Sequence, residues 1–172
     1  MSLAHFSRIH RILLACALAL SAVARAEFNV RGHGAAGNGD TNDTAAVQKA
    51  IDAAAANGGT VEFGPGVYLC GSLHLRSNVS LHLDNGATIK GIRDKNAYDP
   101  YEDLGFKNES DNETSYFHHA LIWGEDVEHI AIYGDGTIDS NFIGRGGPKP
   151  IALKRCRFVR IEGIHILNAP NY

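Results

Sequence analysis

Ile130-Ala131-Ile132-Tyr133-Gly134-Asp135-Gly136-Thr137-Ile138-Asp139 alternates apolar and polar side chains, bends at two glycines, and then resumes the alternation. An earlier stretch, Val79-Ser80-Leu81-His82-Leu83-Asp84-Asn85-Gly86-Ala87-Thr88-Ile89, has the same form, as does Val159-Arg160-Ile161-Glu162-Gly163-Ile164-His165-Ile166-Leu167-Asn168. Each reads as a strand, a corner and a second strand. One such unit has an apolar face it cannot bury alone, whereas stacked copies bury it against one another. The pattern therefore predicts a parallel β-solenoid, in which function resides on an outer face of the coils.

The same period of two continues on both sides of these copies. Further strands are expected at 61–63, 68–70, 73–75, 120–123, 151–153 and 158–161, separated by Gly, Asn and Asp. Upstream the period changes. Val47, Ala50, Ile51 and Ala54 fall on one face of a helix spanning 44–56, started by Asn42 or Asp43 as N-cap and stopped at Asn57-Gly58-Gly59. Between residues 93 and 119 the alternation vanishes, and carboxylates mix with Tyr98, Tyr101, Phe106 and Tyr116. A segment this long without periodicity reads as a loop insertion suited to stacking on sugar rings, or as a solvated loop pinned by its aromatics.

The chain has 172 residues, a formal net charge of -3 and 44% hydrophobic residues, which suits one globular domain and gives nucleic acid no basic footprint. Arg8, His10 and Arg11, an apolar run from Ile12 to Ala24, and the small residues of Ala24-Arg25-Ala26 read as a signal peptide over 1–26. The run is too short for a membrane anchor. A secreted or periplasmic mature chain, 27–172, keeps Cys70 and Cys156. Export permits a disulfide between them, but both lie in apolar, strand-like contexts, where small buried hydrophobes are the better reading.

Gly32-His33-Gly34-Ala35-Ala36-Gly37 matches G-x-G-x-x-G and calls for a test against dinucleotide binding. Asn38 to Asn42 separate the last glycine from the helix, and Asp40 and Asp43 would set negative charge where a pyrophosphate must sit. The match is rejected on those grounds, and no cofactor is expected.

The stretches Phe28-Asn29-Val30, Gly39-Asp40, Asn42 to Ile51, Gly58-Gly59-Thr60-Val61 and Pro65-Gly66-Val67-Tyr68 resemble, in order, the N-terminus of the pectin-degrading β-helix enzymes. Within that superfamily the polygalacturonase and rhamnogalacturonase group of glycoside hydrolases is the most similar. Gly134 to Asp139, Pro148-Lys149-Pro150-Ile151 and Asn168-Ala169-Pro170-Asn171-Tyr172 resemble that group's G-x-G-T-I-D turn, R-P segment and N-S-P-x-W segment. The resemblance implies an all-β, right-handed parallel β-helix whose N-terminal helix caps the first coil. It also implies inverting hydrolysis of α-linked bonds in polygalacturonan or rhamnogalacturonan by a full-length monomer without a cofactor. Lys149 stands for the group's Arg, keeping charge without the fork geometry, and Tyr172 stands where Trp is common.

The group's catalytic carboxylates occupy an Asn-Thr-Asp segment and an Asp-Asp pair in coils after the N-S-P-x-W segment. This chain contains no Asp-Asp pair. The resemblance thus places the catalytic residues downstream of Tyr172 and makes this chain an N-terminal portion, inactive by itself. Within it, Lys149 and Tyr116 are the candidate substrate-binding residues. Asp135 and Asp139 read as corner carboxylates rather than catalysts. His118-His119 read as solvent-facing loop histidines with no metal. Lys149, Lys154, Arg155, Arg157 and Arg160 form a basic stretch that suits either an anionic polymer or a solvated face. Two alternatives remain: a non-catalytic polysaccharide-binding solenoid of the tailspike or adhesin kind, and a lyase of the same fold, which would need a Ca²⁺ site of clustered carboxylates.

Overall fold

A computed structural model describes residues 26–107, 109, 115–142 and 146–170. Nearly all of the expected signal peptide lies outside them. Strands β1 (Ala26–Asn29) and β2 (Asn38–Asn42) precede helix α1 (Thr44–Ala55), and a 3-10 turn at Val30–His33 lies between the two strands. After the helix come β3 (Gly59–Phe63), β4 (Gly66–Cys70), β5 (Leu73–His74), β6 (Val79–Leu83), β7 (Ala87–Gly91) and, past the long insertion, β8 (Ala120–Glu125). The last five are β9 (Glu128–Gly134), β10 (Thr137–Asp139), β11 (Lys149–Lys154), β12 (Arg157–Glu162) and β13 (His165–Leu167).

These strands form three parallel sheets, ordered β1-β3-β6-β9-β12, β13-β10-β7-β4-β2 and β11-β8-β5. The chain visits the three sheets in turn, so β3-β4-β5, β6-β7-β8 and β9-β10-β11 are successive coils of a three-sided solenoid. Register keeps like residues stacked along its axis. Val61 pairs with Leu81, Leu81 with Ile132, and Ile132 with Ile161. Tyr68, Ile89, Ile138 and Ile166 form the same kind of column in the second sheet, and Leu73, Ile122 and Ile151 in the third. Val61, Leu81, Ile89, Leu73, Ile122 and Ile138 are fully buried. Each contributes about 1.5–3 kcal/mol by leaving water, so the columns are the main source of stability.

Helix α1 closes the end of the solenoid beside β5, the edge strand of the third sheet. Gln48 acts there as a substitute strand: its Oε1 accepts from the His74 backbone N–H at 2.8 Å, and its Nε2 donates to the His74 carbonyl at 3.1 Å. Thr44 Oγ1 likewise accepts from the Gly71 N–H at 2.8 Å. The helix thereby occupies edge groups that would otherwise recruit another strand. It ends one residue earlier than the sequence predicts, with Ala56 as its C-cap.

Both N-cap candidates take part at the helix start, in different ways. Asn42 Oδ1 accepts from the Thr44 N–H at 3.0 Å, as a capping side chain does. Asp43, in the N-cap position, turns its buried carboxylate backwards and accepts from the N–H groups of Ala36 at 2.7 Å and Gly37 at 2.9 Å. The glycine-rich loop that resembled a phosphate cradle is therefore filled by a carboxylate of its own chain.

Strand β2 was not expected, because none of its five residues is buried. Pairing with β4 across an irregular register holds it, rather than any apolar face. Cys70 is fully buried and Cys156 partly so, and both thiols are free. Burial, reinforced by the Asp43 charge, raises the Cys70 thiol well above its ordinary range, so it remains a protonated hydrophobe. No described helix is long and apolar enough to cross a membrane.

Candidate functional site

The described residues of the insertion between β7 and β8 fold back onto the outer face of the third sheet, where alternation fixes which side chains project. On β8, Ile122 faces the core and Trp123 faces outward, in register with His74 of β5. The His74 and Trp123 rings lie 4.6 Å apart. Asp99, from the insertion, joins them: its Oδ2 accepts from Trp123 Nε1 at 2.7 Å and lies 2.7 Å from His74 Nε2. The Asp99 N–H donates to Ser72 Oγ at 2.9 Å, and that hydroxyl donates to the Ala120 carbonyl at 2.7 Å. One carboxylate thus ties the insertion to two adjacent coils.

Two grooves open beside Asp99. One, of about 520 Å³, runs between helix α1 and the insertion and is lined by Asn42, Thr44, Gln48, His74 and Asp99. The other, of about 440 Å³, is lined by Lys95, Asn96, Tyr98, Tyr101 and His119 along with Asp99. Tyr98 is buried, donates to the Ile92 carbonyl at 2.8 Å, and has its phenol pKa raised by burial. Tyr101 lies 4.8 Å from Tyr116 and 4.9 Å from His119, ring centre to ring centre. Aromatic faces, amides and an ammonium along an open groove suit a polyhydroxylated ligand.

The sequence-predicted pair, Lys149 and Tyr116, meets at the edge of this region. Lys149 Nζ donates to the Tyr116 carbonyl at 2.7 Å, so the lysine anchors the end of the insertion. The expectation of solvent-facing histidines is corrected. His119 is buried, with Nδ1 3.0 Å from the Asp99 carbonyl and Nε2 without a hydrogen-bond partner among the described residues. His118 stacks on Trp123 at 4.2 Å and lies 2.6 Å from Glu125 Oε2 through Nε2. Both are held because the insertion packs onto the sheet instead of standing off it.

The basic stretch is largely neutralised within the chain. Lys154 lies 3.2 Å from Glu125 and 3.8 Å from Glu102, Arg155 bonds Glu125 and Asp126, Arg157 bonds Glu128, and Arg160 lies 3.3 Å from Glu162. The reading as a solvated, internally paired face is the one the geometry favours. Asp139 acts as a corner carboxylate, its Oδ1 accepting from the Asn141 N–H at 2.8 Å and from Asn168 Nδ2 at 2.7 Å, while Asp135 is exposed.

Two carboxylates of this cluster, Glu125 and Glu102, are poorly suited to proton donation. The hydrogen bond from His118, aided by Lys154 and Arg155, holds the Glu125 carboxyl below its ordinary range. Burial pushes Glu102 the other way, but the N–H groups of His118 and Phe117 outweigh it and leave its carboxyl lowered too. A general acid in glycoside hydrolysis needs a raised value. Glu102 and Glu125 thus serve to bind and position the insertion.

Residues 27–123 match the family described as rhamnogalacturonase A/epimerase, pectate lyase-like. Over 64 residues the chain is 42% identical to an exo-poly-α-D-galacturonosidase of Dickeya chrysanthemi, an overlap covering 37% of this chain and 10% of that protein. Over 62 residues it is 48% identical to a mannuronan C5-epimerase of Azotobacter vinelandii, covering 31% of this chain and 3% of that one. Among solved structures, a hyperthermoactive exopolygalacturonase from Thermotoga maritima superposes with a TM-score of 0.69 at 25% identity, covering 84% of this chain and 42% of the other. The matched part of the chain thus covers less than half the length of each of these relatives. On the strength of the family match and the parallel three-sheet coil, the chain belongs to the rhamnogalacturonase A/epimerase, pectate lyase-like family.

Proposed function

We propose that this chain is the N-terminal part of an exported glycoside hydrolase that cleaves α-glycosidic bonds in polygalacturonan or rhamnogalacturonan with inversion. One carboxylic acid protonates the leaving oxygen while a second carboxylate activates water on the opposite face of the sugar. Both carboxylates belong to coils beyond Tyr172. The present coils supply the capped scaffold and, through the grooves around Asp99, a surface for the polymer. Residues 1–26 direct export to the periplasm or the exterior, and the full-length enzyme acts as a monomer.

The observation that carries this reading is the likeness to the exopolygalacturonase of Thermotoga maritima across 84% of the chain, alongside this chain's own parallel three-sheet coil. Two features of the site agree with it. The paired carboxylates Glu102 and Glu125 are acidified, which leaves general-acid work to other residues. Lys95 lies at a groove that also offers the exposed ring of Tyr101, a combination suited to an anionic sugar.

The test starts with the reading frame beyond Tyr172, where an Asn-Thr-Asp segment followed by an Asp-Asp pair is expected. The extended protein should release reducing ends from polygalacturonate or rhamnogalacturonan, and NMR of the first product should show the β-anomer. Unsaturated, ultraviolet-absorbing ends would assign a lyase instead. Polymer binding without any cleavage by the extended protein would assign a binding solenoid.

A further inference from the structure

The first sheet carries a column of outward side chains that the proposed function does not use. Glu62 of β3 is in register with His82 of β6, and His82 with Tyr133 of β9. Asp84 follows His82 by two residues just past the end of β6. Strands stack at about 4.8 Å and residues two apart share a face, so this placement brings one imidazole and two carboxylates together. His82 Nδ1 lies 2.6 Å from Glu62 Oε2 and 3.7 Å from Asp84 Oδ1, and all three candidate ligand atoms fall within 4.8 Å of one another. Tyr133 stacks on the imidazole at 4.7 Å with the planes 27° apart, which fixes the ring's orientation.

We propose that Glu62, His82 and Asp84 form a binding site for a divalent transition-metal ion, zinc foremost, that clips β3 to β6 across two coils. Tetrahedral ligands on metal bonds of about 2.1 Å stand about 3.4 Å apart. The observed separations bracket that spacing, so small side-chain rotations admit an ion, with a water as fourth ligand. Two carboxylates neutralise the dication while a neutral imidazole supplies the nitrogen. That nitrogen, together with only two carboxylates, selects against calcium, which takes six to eight oxygen ligands. The side chains are 21%, 30% and 47% exposed for Glu62, His82 and Asp84, so an ion reaches them from solvent without opening the coil.

Two other histidines bond a carboxylate comparably, His74 with Asp99 and His118 with Glu125. Among the described residues, only the His82 pair has a third ligand atom within reach. Sequence spacing hides the set because Glu62 and His82 are 20 residues apart.

The whole chain, free of any affinity tag and treated with chelator, is titrated with ZnCl₂ and separately with CaCl₂. Calorimetry gives the stoichiometry, thermal melting the stabilisation, and visible absorption after Co²⁺ substitution the ligand geometry. One zinc per chain is expected, with a melting temperature that climbs with zinc concentration and a tetrahedral Co²⁺ spectrum lacking thiolate charge transfer. H82Q and D84N should weaken binding beyond the roughly 10–100-fold typical of losing an outer-shell partner. H74Q and H118Q should keep it. D84N alters the most exposed ligand and provides the answer if H82Q fails to fold. Absence of zinc binding, equal binding of calcium, or undiminished binding by D84N would overturn the proposal.

Discussion

Replacing Asp43 should destabilise this protein far more than its place at a helix start suggests. Its side chain makes no bond to the first turn of α1 and gives both oxygens to the loop before β2, at 2.7 Å from the Ala36 N–H and 2.9 Å from the Gly37 N–H. Hydrogen bonds to a charged acceptor contribute about 1.5–3 kcal/mol each, so the two together set an upper bound of about 3–6 kcal/mol. Some water enters after truncation, and D43A should therefore cost about 2–4 kcal/mol. N42A removes the cap together with the bond that Asn42 Oδ1 accepts from the Thr44 hydroxyl at 2.6 Å, both exposed, and should cost about 1 kcal/mol.

D43S separates the two readings of this residue. Serine is as good an N-cap as aspartate, so a capping role predicts nearly full stability. Its single short hydroxyl cannot serve both N–H groups, so the clamp predicts a loss close to that of D43A. Urea unfolding followed by far-ultraviolet circular dichroism gives the midpoints, with an unchanged slope confirming that the comparison is one of stability. D43S within about 0.5 kcal/mol of the unaltered chain, or D43A no worse than N42A, would refute the argument.

Gly134 has φ of +116°, and a methyl group there would sit 2.1 Å from the Leu83 carbonyl oxygen. G134A should lower stability by at least about 3 kcal/mol, from backbone strain plus displacement of the neighbouring coil, and an unchanged melting temperature would contradict this. Glu102 and Glu125 have folded pKa values below their unfolded ones, so their stabilisation is fully present above the ordinary carboxylate range and is lost as pH falls through the lowered values. Melting temperature should thus drop on acidification below about pH 4.5, and the double variant E102Q/E125Q should show a flatter acid limb. Val159 and Ile161 are 41% and 43% exposed on β12, although their register partners Ile130 and Ile132 are buried. This open coil should drive self-association of the 172-residue chain, visible by sedimentation velocity, and V159K/I161K should suppress it; a monodisperse unaltered chain would count against it.

The coils were legible wherever one face of a strand is buried. Val79 to Leu83 alternates because Val79, Leu81 and Leu83 face the core while His82 does not. Strand β2, Asn38–Asn42, gave no such signal, since its partner's backbone and not an apolar column holds it in place. Corners were readable where Asn or Asp adopts positive φ, as at Asn78, Asp126 and Asn168, whereas the positive φ of His129 and Phe158, which stack at 4.5 Å inside β9 and β12, carried no such signal. The site was the least legible part because contacts between coils have no constant separation. Glu62 meets His82 across 20 residues, Ser77 meets Glu128 across 51, and Arg157 meets Glu128 across 29. The insertion inside the second of these intervals changes the spacing, and no fixed-offset motif survives such a change.

That irregular spacing also explains how one scaffold serves different chemistries. Each coil presents outward residues at positions fixed by register, so a substitution or insertion in one coil changes the chemistry there while the apolar columns stay in place. The matched segments of a galacturonosidase and of a C5-epimerase both fall within a chain whose own clustered carboxylates are acidified. Glu102 shows such a local device: its carboxylate accepts from the Phe117 and His118 N–H groups and so fastens the insertion to the start of β8, while the apolar columns beneath it are untouched.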